Sequence, residues 1–586
     1  MTRTFDVPFK PKPPTRRESI VFRCKTALLQ VQRAGVDRFD GRIRRHAKGG
    51  DLKEEAVVAV SKTPLWTETE PREKYLLAGK IQNLRLAAAS LNGLEIQAGR
   101  TFSFWKQVGR TSRAKGFAEG RELREGCIVP SVGGGLCQIS NALYDAALQA
   151  GFEIVERHAH TQVIPGSLAE QGRDATVFWN YVDLRFSSEN AFRIEAKLDA
   201  ETLTVRFRGT RTRLREGPKN EQFAISGGGP NSCATCEVNE CRRVVPVASN
   251  PNFGRTAFLL DEFMPEFDEY IKESRAGDDL LLIPLDGKRF RKSNYAWTTD
   301  GFGDVRQSLF VTAKRSFRSR KLAAQGAARQ RNLLEMYEKL AASYAKLLRF
   351  DVLHVVVQQD LLPFLWKNGH LDGRTFDVLM TALPMKELQK RLDRAHSLHP
   401  ESTTLGDFRA DPDLIATETE ALRHARKIVT PHTSIASLFP NRGNLLSWRS
   451  PKSEMRGRTN NVRPRIVFPA STVGRKGCYE LREALQGLDV SVVLLGPPLE
   501  GGDFWKGFKI ETGNEWLETA DLVVLPAFVE HKPRRLLLAA AKGVPVVAST
   551  ACGVGNVEGI ETVEPGDVVE LRERVVSALA RLQSAV

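Results

Sequence analysis

Residues 133–138 read Gly-Gly-Gly-Leu-Cys-Gln, followed by the run ISNALYDAALQAG and, shortly after, ERHAH. A glycine run lets the backbone take positive φ and come close to another group, which a Cβ makes costly. Behind it Ile139, Leu143, Ala146 and Ala150 share one helical face, and Gly151 stands where a C-cap belongs. The spacing predicts a helix with Cys137 at its start, where the dipole and unpaired N–H groups favour a thiolate. His158 and His160 follow in a strand entered through GFEIVE, two apart and so on one strand face. Either imidazole could take the thiol proton. Asp174 in GRDATVFW, ahead of a further strand, is the carboxylate that would orient it. Such a set performs nucleophilic chemistry at sulfur, as in a thiol-dependent hydrolase or acyl transferase. The same residues also describe a buried cysteine under a glycine turn, with histidines as hydrogen-bonding core residues.

A second group of thiols occupies residues 233–241, CATCEVNEC, between GGGPNS and RRVVP. Cys233, Cys236 and Cys241 form a C-x2-C-x4-C array on a loop, and the first pair has metal-ligand spacing. The expected occupant is zinc or an iron–sulfur centre. Cys127, Cys24 or a distant histidine would supply a fourth ligand, and the sequence does not choose among them.

The elements around Cys137 include NLRLAAASLNG, AGRTFSFWKQVG, ERHAHTQV and GRDATVFWNYVDLRF. With the glycine–cysteine motif they resemble the VanW family over about residues 80–210. The family is associated by name with vancomycin-resistance gene clusters, so the resemblance implies a role in the cell envelope. It identifies a domain rather than a reaction.

From about residue 255 the pattern changes to short apolar strands alternating with helical segments. TAFLLDEF, DDLLLIPL, VLHVVVQQ and FDVLMTALP read as strands, and residues 320–348 read as one long basic-faced helix. The alternation resumes in RPRIVFPAS, KGCYELREALQGL, VSVVLLGPP, DLVVLPAF, PRRLLLAAAKG and VPVVAST. This predicts two doubly wound parallel sheets with a hinge near 430–441 and ligand sites at strand C-terminal ends.

That half (about residues 250–586) resembles the group 1 glycosyltransferases, which have the two-lobed GT-B architecture. The resemblance implies a nucleotide-sugar donor whose diphosphate faces Arg475 and Lys476 at the head of a helix starting near Gly477. It also places Glu530 first in a donor signature of paired glutamates. Leu538 stands where the second glutamate belongs, a departure that removes a ribose contact. Arg374, Lys386 and His432 are further candidates for phosphate or acceptor contacts. No paired carboxylates are evident, which suits retaining members of the family.

Composition frames these readings. With 41% hydrophobic and 27% charged residues, the chain is an ordinary globular protein of three or four domains. Its net charge of +16 points to anionic partners, and basic residues cluster in 1–50 and in KRSFRSRK at 314–321. No aromatic-interleaved basic motif marks a nucleic-acid binder. The N-terminus lacks a signal-peptide core and the thiols are sparse, so the expected location is cytoplasmic, with peripheral contact at the inner membrane face.

The expected fold class is α/β. Residues 1–70 form a basic extension, 71–212 a VanW-like α/β domain, and 213–250 a Cys-bearing connector. Residues 251–440 form the first GT-B lobe and 441–586 the donor-binding lobe. The leading expectation is transfer of a sugar to an envelope or surface-polysaccharide precursor, a glycan or lipid-linked acceptor. The alternatives are the thiol chemistry at Cys137 and a noncatalytic envelope-assembly factor.

Overall fold

The computed structural model describes residues 16–67, 71–124, 127–160, 167–211, 231–232, 253–322, 326–406, 409–451, 461–511 and 515–584. They fall into two compact units: 1–255 with 348–354 and 368–375, and 256–347 with 355–367 and 376–586. Cys233, Cys236 and Cys241 lie outside the described residues. Among those described, no group of three or more His, Cys, Asp or Glu is arranged to hold a metal ion.

The first unit is built mostly on antiparallel sheets. Strands Val57–Pro64, Thr202–Gly209, Phe192–Leu198 and Leu94–Ile96 pair in that order. Phe192, Ile194, Ala196 and Leu198 alternate inward on one strand, and Leu203, Val205 and Phe207 on its neighbour. The period of two puts these side chains on one sheet face. Helices Pro71–Leu91 and Cys137–Ala150 pack on the sheet. Ile139, Leu143, Ala146 and Ala150 are buried as the helical spacing requires, and Gly151 ends the helix in the left-handed region at φ +77°. Two smaller sheets carry the loops around Cys137: Glu119–Arg124 with Cys127–Val132 and Asn231–Ser232, and Thr101–Ser103 with Arg185–Ser187 and Glu153–Glu156.

The expected extension 1–70 needs correction. Residues 57–64 form a strand paired antiparallel with Thr202–Gly209, with Ala59, Ser61 and Thr63 turned inward.

The second unit contains two parallel sheets. In the first, seven strands run in the order 304–307, 280–283, 255–259, 352–358, 375–379, 427–430 and 443–445. The second has six, in the order 509–511, 491–494, 465–468, 522–525, 546–549 and 560–563. Strands such as Leu280–Ile283, Ser491–Leu494 and Leu522–Leu525 are buried throughout, as covering on both faces demands.

Two expectations shift here. The strand Gly443–Leu445 pairs with Ile428–Thr430, so the first sheet extends past residue 440. The helix expected over 320–348 is shorter, Ala327–Ala345, with Gly326 at φ +109° outside the helical region before it; a separate helix, Leu309–Arg320, ends where the expected one began. The basic run 314–321 is not simply a solvated face either. Arg315 makes two bonds of 2.6 and 2.7 Å to the buried Asp261 carboxylate.

Candidate active sites

Cys137 is the first residue of its helix and half-buried. The glycine turn that presents it is packed backbone to backbone against Glu119–Arg124. A Cβ on Gly134 would lie 2.5 Å from the Gly120 carbonyl oxygen, so no larger residue fits without moving a strand. Asn83, fully buried on the neighbouring helix, donates to the carbonyls of Ala118 (3.0 Å) and Gly134 (2.9 Å) and accepts from the Ala118 N–H. It pins the turn from below.

His160 and Asp174 meet. The imidazole Nδ1 lies 2.6 Å from Asp174 Oδ1, and the His160 backbone N–H donates to Oδ2 at 2.5 Å. With Nδ1 committed to the carboxylate, Nε2 is the nitrogen left for sulfur. The Cys137 sulfur lies 3.6 Å from Thr176 Oγ1 and 3.9 Å from the Val177 carbonyl oxygen. Burial pushes the Cys137 thiol up, but the His160 charge and hydrogen bonds outweigh it and hold it below its ordinary value. For His160 burial acts downward and is overcome by Cys137 and Asp174, which push it up to about 10. Both directions describe a thiolate–imidazolium pair.

His158 is not part of this set. The expected strand ends at Glu156; beyond it His158 is exposed, with Nε2 3.3 Å from Glu156 Oε1. Its carbonyl accepts from the Thr176 N–H at 2.8 Å, which ties the histidine segment alongside residues 174–176. The two histidines therefore do not share a strand face. Cys137, His160 and the glycine run open onto a cavity of about 510 Å3, whose walls include Lys62, Lys80, Trp105 and Trp179.

The second site lies at the C-terminal ends of the strands Arg465–Phe468 and Leu522–Leu525. Arg475 and Lys476 sit in the turn Gly474–Lys476, and Gly477 follows at φ +75°, where a Cβ would lie 2.1 Å from the Pro526 carbonyl oxygen. They line a cavity of about 320 Å3 together with Glu530, Lys532, Arg534 and Arg535. Lys476 Nζ is 2.8 Å from Glu530 Oε2 and 3.0 Å from the Val529 carbonyl oxygen. Burial raises Glu530, but the Lys476 charge and hydrogen bond prevail and hold it below the usual carboxylate range. Lys532 pairs with Glu262 at 2.6 Å, and Arg534 binds the buried Glu266 at 2.6 and 2.5 Å. Leu538, on the helix Arg534–Ala541, is not in the cavity wall.

The structure places three other candidates as follows. His432 is buried and its Nε2 donates to the Glu530 carbonyl oxygen at 2.9 Å, so it supports the loop that carries Glu530; burial pushes its pKa down. Arg374 is buried, and its Nε, Nη1 and Nη2 donate to the carbonyls of Val352, His370 and Arg349, so its guanidinium is tied into the backbone rather than presented to solvent. Lys386 is an exposed residue near the start of the helix Met385–Leu398.

Sequence reasoning missed Asp360, just past the strand Val352–Gln358, which feels the charge of Asp261, past the strand Arg255–Leu259, and, against it, that of Arg315. Burial first, and then the neighbouring Asp261 carboxylate, push Asp360 up to about 7; the charges of Glu262 and Lys532 also reach it. Asp261 and Asp360 lie 99 positions apart, so spacing alone could not pair them. Lys532, Arg534 and Arg535 were legible as the basic run behind Glu530 in EHKPRR.

Residues 79–208 match the family described as VanW like protein, and residues 463–581 match Glycosyl transferases group 1. The chain joins a VanW-like domain to a group 1 glycosyltransferase domain. Within the first, an uncharacterized protein of Bacillus subtilis, YoaR, is 37% identical over 107 residues, 18% of this chain and 35% of that protein. The vancomycin B-type resistance protein VanW of Enterococcus faecalis is 34% identical over 129 residues, 21% of this chain and 47% of that protein. The chain thus spans less than half the length of either curated relative. Among solved structures, sucrose-phosphate synthase from Thermosynechococcus elongatus aligns over 56% of this chain and 90% of its own, with 13% identity and a TM-score of 0.38. Anabaena Alr3699/HepE in complex with UDP aligns over 56% and 91%, with 14% identity and a TM-score of 0.35.

Proposed function

We propose that the protein transfers a sugar from a nucleotide-sugar donor, held in the 463–581 domain, to a glycan or lipid-linked envelope precursor. The observation that carries this reading is the cationic cavity of Arg475, Lys476, Lys532, Arg534 and Arg535 in a group 1 glycosyltransferase domain. Breaking the bond from the sugar to the diphosphate releases a nucleoside diphosphate, and cations fixed around it stabilise the developing charge. The acceptor's oxygen forms the new bond and loses its proton. We put forward Asp360, raised to about 7 by burial and Asp261 but outside the cavity wall, as the group that receives it. The envelope acceptor rests on the VanW-like domain alone. Titration of the full chain with a panel of nucleoside diphosphates and nucleotide sugars tests the reading. Tight binding of at least one diphosphate, weakened in Lys476→Ala, is the expected result; no binding of any would refute it.

A second reading has its own observation, the Cys137–His160–Asp174 contacts at the mouth of a cavity. In it the VanW-like domain carries thiol acyl-transfer or hydrolase chemistry. Sulfur attacks an acyl carbon, the bond to the leaving group breaks, and His160 returns its proton to that group. Water or an amine then takes the acyl group from sulfur. Labelling with a mild acyl electrophile, followed by peptide mass analysis, should place the adduct on Cys137; labelling spread over other thiols with none on Cys137 would oppose it.

A further inference from the structure

Among the described residues, the hydrogen bonds and ion pairs that hold the first helix, Arg16–Phe39, to its unit come from one face. Gln30 Nε2 donates to the Trp179 carbonyl at 3.0 Å, and Asn180 Nδ2 donates to the Gln30 carbonyl at 2.9 Å. Arg33 pairs with Glu156, and Arg185 binds Asp37 at 2.8 and 2.7 Å. Residues 30, 33 and 37 recur at helical spacing, so these contacts fix which side faces the domain.

The opposite side is apolar and uncovered. Ile20, Leu28, Val31 and Phe39 are 54%, 70%, 71% and 86% exposed, and Val21 and Cys24 join them on the same stripe. Their positions follow the three-and-four repeat of one helix face, which a water-facing helix would fill with polar residues. Large apolar groups left in water cost about 25 cal/mol for each Å2 of surface, so the stripe favours something that covers it. Exposed Arg17, Lys25 and Arg38 lie on or beside it. Asp37 lies on the docked face, paired with Arg185.

We propose that this helix lies in the surface of an anionic lipid bilayer, with its apolar stripe among the acyl chains and Arg17, Lys25 and Arg38 at the headgroups. The charge favours this partner over a second copy of the chain. Two such faces would bring their cations together on a protein already at +16, whereas acidic headgroups neutralise them. The helix lies along the surface rather than through it, since among the described residues no helix is long and apolar enough to cross a membrane. This inference is independent of the transferase reading, because membrane binding is measured without any donor.

The test is co-sedimentation of the full chain with phosphatidylcholine vesicles, with and without about 30% phosphatidylglycerol. Binding should require the anionic lipid and fall as salt rises. Leu28→Asp with Val31→Asp, both at exposed positions, should reduce partitioning at least ~10-fold. Arg17→Gln, Lys25→Gln and Arg38→Gln should each weaken anionic-vesicle binding by roughly fivefold. Binding unchanged by the aspartates, or no binding to either vesicle, overturns the proposal. So does a dimer in lipid-free buffer that the aspartates abolish, since it would make a second copy the cover.

Discussion

The two candidate sites handle charge in opposite ways. Around Cys137, opposite charges are paired within the site itself: sulfur against His160, and His160 against Asp174. In the glycosyltransferase domain the wall holds five cations and one acid, Glu530, which pairs with Lys476; Lys532 and Arg534 pair with Glu262 and Glu266, which are not in the wall. The first arrangement holds a reactive group and a proton ready for bond making. The second gathers cations in its wall and keeps the acids that pair Lys532 and Arg534 outside it, an arrangement that favours an anion such as a diphosphate. On the proposed readings, the difference separates a centre built to react from one built to bind and stabilise.

Removing the sulfur gives the largest expected effect. Cys137→Ser should lower thiol-dependent turnover or labelling by about 10³-fold or more, because the nucleophile itself is lost. Nucleoside diphosphate affinity, read in the same preparation by calorimetry, should not change. A parallel loss of both would break the contrast between the sites.

Next is the acid that the transferase reading uses. Asp360→Asn should lower sugar transfer about 10²- to 10⁴-fold, the usual worth of a positioned base. Because burial and Asp261 raise Asp360 to about 7, it is neutral below that pH and charged above it. Wild-type turnover should therefore rise with pH through about 7, and the asparagine variant should lose that rise. A wild-type profile flat between pH 6 and 8 would remove Asp360 from the reaction.

The third prediction separates the two histidines. The Cys137 thiolate is present above its lowered pKa and is lost as pH falls through it. In His160→Ala the burial remains without the compensating charge, so the alkylation midpoint should move above the ordinary thiol value of about 8.5. At pH 7 the alkylation rate should fall by roughly tenfold or more, while His158→Ala leaves it unchanged. A midpoint that moves with His158 instead would reverse the assignment.

The glycine–cysteine turn and its helix were legible because the signals are local: positive-φ glycines, a helical repeat and a C-cap. Choosing His160 over His158 was not legible. The expected strand ends at Glu156, and it is Asp174, clamping both the backbone and Nδ1 of His160, that sets the direction. Asn83 was hidden for the same reason, since its partners at 118 and 134 are far along the chain. In the second unit the alternation of apolar strands revealed both sheets. The end of the first sheet was missed because Gly443–Leu445 is short and only partly buried, with little apolar pattern to read. Arg374 looked available as a lone cation, and its three carbonyl partners exist only in the folded backbone.

The smallest of these effects concerns the donor cavity. Lys476→Ala removes a charge-assisted contact worth about 1.5–3 kcal/mol, so diphosphate affinity should drop roughly tenfold or more. Affinity for the bare nucleoside should hold, because the lysine's contact is with the phosphates. Equal losses for both ligands would mean that Lys476 supports the fold of the loop through Glu530 and Val529 instead.

The most direct test of two separate chemistries is nucleotide-sugar turnover in three versions of the full chain: wild type, Cys137→Ala, and Arg475→Ala with Lys476→Ala. The account predicts that Cys137→Ala turns over donor at the wild-type rate and that the double variant loses turnover. Turnover abolished by Cys137→Ala and untouched by the double variant would contradict it.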